Sequence, residues 1–279
     1  MQTAAPETET AEPTIEPTAE PSVEIDELPF HNKAAYKVYE KQTNSSGKSY
    51  LTVKTYDEHD NVILREDFDE TGEVYYSKET AFEYDEDGNA IREYSGSYTY
   101  YETEYQDGKE VRWLYYDEGE LLSESTYEYY TNGDFKCVWS SHDGCEPYAW
   151  MIFEYEYDEQ GRIIVSREKN DDDELKYTKY LTYDDSGNVA ESVEYRELSY
   201  YDNLDESREV ERYKRIYDAD GNILTFTKTY EHRDGTVAYE NSGEYKYDEQ
   251  GRIVSMEEHY ASGEIVLTEY TYEMIESAE

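Results

Sequence analysis

Positive charge is scarce in this 279-residue sequence: 25 Lys and Arg side chains accompany 69 Asp and Glu, and the formal net charge is −44. Phosphate backbones and anionic membrane surfaces are repelled by so acidic a protein. We therefore expect no nucleic-acid partner. The charge suits solubility, association with cations or a partner with basic patches, and it also keeps exposed sheet edges from sticking together.

Long apolar runs are absent as well. No stretch approaches the roughly 18 consecutive apolar residues of a membrane-spanning helix, so we expect no transmembrane segment. Leu, Ile and Val are sparse, which excludes a thick apolar core and, read alone, suggests disorder. The 35 tyrosines argue against disorder, because each supplies a large ring to bury and a polar tip that reaches water. A thin sheet with tyrosine-rich faces fits this composition.

Proline is nearly absent after residue 29. Five of the six prolines lie at or before that point, at Pro6, Pro13, Pro17, Pro21 and Pro29. Glu, Thr and Ala fill most of the rest, which predicts a disordered linker over residues 1–29 and a folded domain over residues 30–279. The start has neither the basic residues nor the apolar run of a signal peptide. We expect an extracellular lipoprotein whose secretion signal was removed and whose linker is a tether to the bacterial surface; a cytosolic protein with an acidic tail is the alternative.

One motif recurs along the rest of the chain. Residues 247–254 read YDEQGRIV, and residues 157–164 read YDEQGRII. Apart from one long gap, copies begin roughly every 26 to 34 residues, which indicates a repeat architecture. The Tyr, Asp and Gly positions of the six copies are Tyr56 and Asp57; Tyr84, Asp85 and Gly88; Tyr157, Asp158 and Gly161; Tyr183, Asp184 and Gly187; Tyr217, Asp218 and Gly221; and Tyr247, Asp248 and Gly251.

The chemistry of the motif predicts a tight turn between two strands. Asp248 can accept a hydrogen bond from the backbone two residues on, and Gly251 can adopt positive φ without steric cost. Ile253 and Val254 then favour a strand. Weaker turn signals lie between the copies, so we predict an all-β fold: an antiparallel meander of repeated hairpins, roughly 16 strands in an elongated or curled repeat sheet, after a disordered N-terminal tether.

Residues 155–163 (YEYDEQGRI) and 245–253 (YKYDEQGRI) resemble the bacterial RHS/YD-repeat family in the spacing of Tyr-Asp, Gly and Arg or Asn. The resemblance covers about residues 50–275 and implies an extracellular or surface β-repeat protein. Large members of that family build a spiral β-shell around a toxin. The glycine-punctuated, Tyr-rich turns are also similar to short repeats of some bacterial antitoxin or immunity proteins.

Residues 131–157 interrupt the repeat and hold the two cysteines. Cys137 and Cys145 flank a short segment, which predicts a disulfide across a hairpin; free thiols and a metal site are the alternatives. Trp139 lies between the cysteines and Trp150 just after them. With Trp113, these tryptophans are candidate sugar-stacking residues, and the alternative is that they fill the thin core.

Motifs for catalysis or cofactor binding are not found. The segment from Asp218 to Asn222 (DADGN) looks like a calcium loop, but its twelfth position is Thr229, which cannot supply a bidentate carboxylate. We therefore expect no cofactor and no metal site. Asp and Glu are so common that close carboxylate pairs must occur by chance.

These features predict a non-enzymatic, secreted or cell-surface β-repeat binding module whose ligand is a glycan or another surface protein. Two alternatives stay open. The first is an acidic immunity- or antitoxin-type partner of a basic protein, which the charge favours. The second is a glycan-processing enzyme that uses a pair of carboxylates, as glycoside hydrolases do.

Overall fold

The computed structural model describes residues 28–96, 98–142, 145–197 and 210–275. The predicted linker lies, except for its last two residues, outside the described residues, and the prediction that it is disordered is untested. Within these ranges every regular element is a β-strand, and none is a helix.

Nineteen strands occur in the described ranges, and hairpin turns join most of them. They are β1 (Tyr36–Asn44), β2 (Ser49–Tyr56), β3 (Val62–Phe68), β4 (Val74–Glu79), β5 (Ala81–Tyr84), β6 (Ala90–Tyr94), β7 (Tyr100–Gln106), β8 (Lys109–Asp117), β9 (Glu120–Tyr129), β10 (Phe135–His142), β11 (Tyr148–Tyr157), β12 (Ile163–Lys169), β13 (Leu175–Tyr183), β14 (Val189–Arg196), β15 (Val210–Tyr217), β16 (Ile223–Glu231), β17 (Val237–Tyr247), β18 (Ile253–His259) and β19 (Ile265–Met274).

The strands form an antiparallel meander that curls back on itself. β1 to β4 pair in sequence, and β5 to β19 pair in sequence. β19 then pairs with β1 along its length, from Met274 opposite Tyr36 to Val266 opposite Asn44. The result is a nearly closed, barrel-like sheet. The predicted all-β meander is confirmed, in its curled form, with three strands more than the 16 expected.

The ring is interrupted where β4 meets β5, which are separated by Thr80 alone. β4 pairs with β3, whereas β5 pairs with β6. The Thr80 N–H donates to the Ile63 carbonyl at 3.0 Å, so the chain stays beside β3 up to this residue. Among the strands described above, no second neighbour lies beside β4 or beside β5.

Both faces of the sheet carry buried residues. Val53 pairs with Tyr39, the residue after Val38, so Val38 and Val53 point to opposite faces, yet they are only 6% and 5% exposed. Aromatic rings cover much of the rest, as where Tyr36 stacks on Tyr56 across two strands at 4.8 Å between ring centroids. The core is thus thin and two-sided, which is how a chain with little Leu, Ile and Val buries enough area.

Candidate functional site

The aspartate of each motif caps the turn that follows it. In the copy at residues 157–164, Oδ1 of Asp158 accepts the backbone N–H groups of Gln160 and Arg162 at 2.9 and 2.8 Å. Gly161 has a φ of 80°, and the strand register shifts at Tyr157, as in a hairpin closed by a bulge. The same pair of carboxylate bonds recurs at Asp57, Asp85, Asp184, Asp218 and Asp248.

The residue after the glycine closes the turn from the other side. Arg162 donates from Nε to Oδ2 of Asp158 at 2.7 Å, and its guanidinium lies 4.3 Å from the centre of the Tyr183 ring in the next copy. In the copy at residue 183, Asn188 donates from Nδ2 to Oδ2 of Asp184 at 3.2 Å. Both side chains reach the same carboxylate oxygen, which explains why the motif carries either Arg or Asn here.

Three of the motif tyrosines, and Tyr272 in β19, join consecutive repeats. The Tyr183 hydroxyl donates to the Ile163 carbonyl at 2.7 Å, two residues after the glycine of the preceding copy. Tyr217 donates to Val189 at 2.9 Å in the same way. Tyr247 donates to Ile223 and Tyr272 to Ile253. Sequence reasoning missed these bonds, because they join residues 19 to 28 positions apart.

The first copy departs from this pattern. Its glycine position is Asp60, at a φ of 64°. Asp57 is 2% exposed and accepts the Tyr84 hydroxyl, while His59 stacks on the Tyr84 ring with centroids 4.0 Å apart. Burial first, and then the bond to Asp57, raise the pKa of Tyr84 far above its ordinary value. This cluster joins the turn after β2 to β5, close to the interruption of the sheet between β4 and β5.

The carboxylates of the calcium-like segment are already engaged. The amide of Asn222 and then the backbone N–H groups of the turn lower the pKa of Asp218, and Asn89 acts in the same way on Asp85. Capping the turn therefore accounts for both aspartates. In the part of the chain that the structure describes, no group of three or more His, Cys, Asp or Glu is arranged to hold a metal ion.

Two of the three candidate tryptophans lie on adjacent, paired strands. Trp139 in β10 pairs with Ala149 in β11, and Trp150 is the next residue along β11, at a shift in register. Trp113 lies on the face opposite to that of Trp139, because it pairs with Ser125 whereas Trp139 pairs with Thr126. We call Trp139 and Trp150 the tryptophan pair.

Trp113 is half-buried and packs in a stack of rings. Its ring lies 5.2 Å from that of Tyr101 and 6.4 Å from that of Tyr115, measured between centroids. Trp113 thus packs among other rings, as expected of a tryptophan that fills the thin core.

The tryptophan pair is exposed and lies beside charged groups. Trp139 is 37% exposed and Trp150 is 47% exposed. The Trp139 indole N–H donates to Oε1 of Glu128 at 2.9 Å. The Lys176 ammonium lies 6.0 Å from the centre of the Trp150 ring and donates to the Trp150 carbonyl at 2.8 Å. Hydrogen bonds from Lys136 and Trp139 lower the pKa of Glu128, so the pair lies beside a fixed negative charge.

The two cysteines are free thiols in the structure, which differs from the predicted disulfide. Cys137 is buried within β10, whereas Cys145 is exposed and donates its backbone N–H to the carbonyl of His142 at the end of β10. Five residues of extended strand separate Cys137 from His142, which is about 17 Å. A disulfide needs Cα atoms within about 7 Å. β10 continues past Cys137 instead of turning back, and burial raises the pKa of its thiol.

A cleft of about 410 Å³ lies on the sheet face that β13 to β18 share. Charged and aromatic side chains line it together, among them Lys179, Glu194, Glu211, Tyr213, Phe226 and Tyr245. The Arg215 guanidinium also lines it, 3.8 Å from the centre of the Tyr213 ring. Sequence reasoning missed this cleft because its residues come from six strands. The only local signal was the alternation of Tyr213, Arg215 and Tyr217 along β15.

Two of the carboxylates that line this cleft, Glu194 and Glu211, are held in ion pairs. Arg196 lies 3.0 Å from Glu194 and 3.4 Å from Glu211, and Lys228 lies 2.9 Å from Glu211. The ion pairs of Glu211 join β15 to β14 on one side and to β16 on the other.

These features define the class of the protein: an all-β chain of capped hairpin repeats whose tyrosines join one repeat to the next. No helix in the described ranges is long and apolar enough to cross a membrane. No family model matches the sequence, and no curated protein matches it.

Several solved structures are similar to the chain at low identity. A chain of the TcdB2-TccC3-Cdc42 complex is 12% identical with a TM-score of 0.34; the match covers 77% of this chain and only 14% of that one. A porin-like protein from Bacteroides uniformis is 14% identical with a TM-score of 0.41, covering 85% of this chain and 97% of that one. A porin-like protein from Bacteroides vulgatus is 13% identical with a TM-score of 0.36, covering 83% and 96%.

Proposed function

We propose that this chain is a non-enzymatic binding module of the bacterial cell surface that binds a glycan at the tryptophan pair. The observation that carries the proposal is the exposure of Trp139 and Trp150 on two paired strands, in a chain that half-buries most of its other aromatic rings. An exposed indole costs solubility, and its flat apolar face is suited to stacking on a sugar ring.

Polar groups beside the tryptophan rings can form hydrogen bonds with a sugar that stacks on the rings. Glu128 lies within hydrogen-bonding distance of the Trp139 indole and pairs with Lys136 at 2.5 Å. Binding sites for small polar molecules combine an apolar surface with a few fixed polar groups. Glu128 and Lys136 are such groups for the hydroxyls of a saccharide.

The location is proposed from the sequence. The linker of Pro, Glu, Thr and Ala has the composition of a spacer, and the motif resembles that of extracellular RHS/YD repeats. An extracellular protein carrying a lipid tether fits both features. A surface protein is the other ligand class for such a module.

A second candidate is an immunity-type partner that neutralises a basic protein. The net charge of −44 favours it, because a strongly acidic surface attracts a basic partner over long distances. The two candidates differ in salt dependence: binding by stacking persists in high salt, whereas binding steered by net charge weakens.

The test is binding of the full chain to an array of bacterial cell-wall and host glycans. We expect saccharide binding that resists salt and falls about tenfold or more in Trp139→Ala and in Trp150→Ala, since stacking contributes up to about 1.5 kcal/mol beyond buried area. Trp113→Phe on the opposite face is the matched control and should bind as the parent does. A blank array would refute the glycan proposal and favour the basic partner, which a pull-down from the producing cell would recover.

A further inference from the structure

β4 is exposed along its whole length. Each of its six residues is exposed, which holds for no other strand in the described ranges. Tyr75 is 66% exposed, and Val74 and Tyr76 are exposed as well. β4 pairs on one side only, with β3.

The open side of β4 presents backbone hydrogen-bonding groups in regular order. The Thr80 N–H donates to the Ile63 carbonyl in β3. Successive residues of a strand direct their backbone groups to opposite edges. Tyr76 and Lys78 therefore bond toward β3, and the N–H and C=O groups of Tyr75, Ser77 and Glu79 point to the other edge, where the described residues place no strand.

A side chain covers the edge of β5 that has no neighbouring strand. The Phe82 N–H donates to Oδ1 of Asn32 at 2.7 Å, and Nδ2 of Asn32 donates to the Phe82 carbonyl at 2.8 Å. The amide thus occupies the place of a neighbouring strand. The two ends of the sheet meet at Thr80. Asn32 covers the edge of β5, and the His31 imidazole lies 3.9 Å from the Glu79 carboxylate at the end of β4.

We propose that the outer edge of β4 is a docking site for an extended, basic peptide segment, which adds to the sheet as a further strand. An uncovered edge with exposed aromatic side chains is a template for strand addition, in which backbone bonds provide affinity and side chains provide selectivity. This site is separate from the tryptophan pair and does not depend on the glycan proposal.

Negatively charged side chains beside β4 favour a basic segment. Glu66 pairs with Ser77 on one sheet face. Glu79, which the His31 imidazole approaches to 3.9 Å, ends the strand on that same face. An arginine on the incoming strand would lie beside these carboxylates and over the exposed Tyr75 ring. A second copy of the chain also carries −44 charges and is repelled, so self-pairing of β4 is disfavoured.

The probe is an eight-residue peptide of alternating arginine and valine, labelled for fluorescence anisotropy and titrated with the full chain. We expect it to bind and expect the same peptide with glutamate in place of arginine not to bind. A fully N-methylated arginine–valine peptide keeps the charge but lacks backbone donors, and it should bind about tenfold or more weakly, since it loses several hydrogen bonds.

Ser77→Pro tests the edge from the side of the protein. It removes an N–H that points away from β3, a position where edge strands tolerate proline, and it should weaken binding about tenfold. Ser77→Ala keeps the N–H and should bind as the parent does. Thermal unfolding checks that Ser77→Pro is folded; if it is not, the N-methylated peptide makes the same test on the unchanged chain.

Three results would overturn the proposal. One is no binding of the arginine–valine peptide. Another is equal binding of its N-methylated form, which would reduce the interaction to charge alone. The third is concentration-dependent dimerisation of the parent in analytical ultracentrifugation that Ser77→Pro abolishes, which would make a second copy the occupant.

Discussion

In the copies that begin at Tyr183, Tyr217 and Tyr247, the phenol hydroxyl attaches the repeat to the preceding one. Tyr183 shows the arrangement in full: its hydroxyl bonds to the Ile163 carbonyl, and Arg162 covers its ring. Arg162 also clasps Asp158, so a single arginine connects the turn of one copy with the tyrosine of the following copy. The repeats are therefore coupled through side chains as well as through the strand ladder.

Removing this hydroxyl should destabilise the fold measurably. We expect Tyr183→Phe to lower the free energy of unfolding by about 1 kcal/mol, since a half-buried carbonyl loses its donor while the ring stays in place. Urea unfolding measures the change. Tyr75→Phe, at an exposed ring in β4, is the control and should leave the midpoint unchanged; an equal loss in both variants would show that the interrepeat bond contributes nothing specific.

At the scale of elements, glycine is needed at two positions for different reasons. Gly243 lies in the middle of β17, opposite Phe226 in β16. A Cβ there would lie 2.5 Å from a Phe226 ring carbon and 2.8 Å from the Glu257 carbonyl oxygen. Gly161, in a motif turn, has open space around it but a φ of 80°. The first glycine makes room for a neighbouring ring, and the second permits a backbone conformation.

We expect Gly243→Ala to be the more harmful of the two alanine substitutions. Its methyl group forces Phe226 and the β17–β18 backbone to move, at a cost of about 1 to 3 kcal/mol or more. Gly161→Ala should cost about 1 to 2 kcal/mol, the penalty of an L-residue in the left-handed region. Differential scanning calorimetry on both alanine variants compares their losses of stability. Gly161→Asn should be less destabilising than Gly161→Ala, because asparagine tolerates the left-handed conformation of the turn. A smaller effect at Gly243 than at Gly161 would contradict the packing argument.

At the scale of the whole molecule, net charge opposes closure of the sheet. Closure brings strands of one acidic chain around to meet each other, from β19 back to β1. Ion pairs such as Arg212 with Glu191 and Glu231 relieve the repulsion locally. They cannot neutralise it, because the cations number only 25 against 69 carboxylates.

Added sodium chloride should therefore stabilise the protein. Raising the salt concentration from about 0.01 to 0.1 M shortens the screening length from roughly 30 to 10 Å, which weakens long-range repulsion more than contact ion pairs. We expect the unfolding temperature to rise over this range. Chloride is preferred to sulfate, which strengthens apolar burial independently of charge. A falling unfolding temperature would show that ion pairs outweigh repulsion.

The turns could be read from the sequence because their interactions are local. Asp248, Gly251 and Arg252 meet within five residues, so the chemistry of the motif predicts its geometry. The interruption of the sheet at Thr80 could not be predicted in this way. The segment from β4 to β5 is continuous, and only pairing with β3 on one side and β6 on the other divides it.

The sequence by itself determined the all-β class, the positions of the capped turns and the order of the meander, because hydrogen bonds two to four residues apart govern them. The tertiary structure decided that β19 returns to β1, that Trp139 and Trp150 lie on paired strands while Trp113 lies on the face opposite to that of Trp139, and that β10 continues past Cys137 instead of turning back there. Curvature and register set these outcomes, and both arise from the sum of many strand pairings rather than from any one stretch of residues.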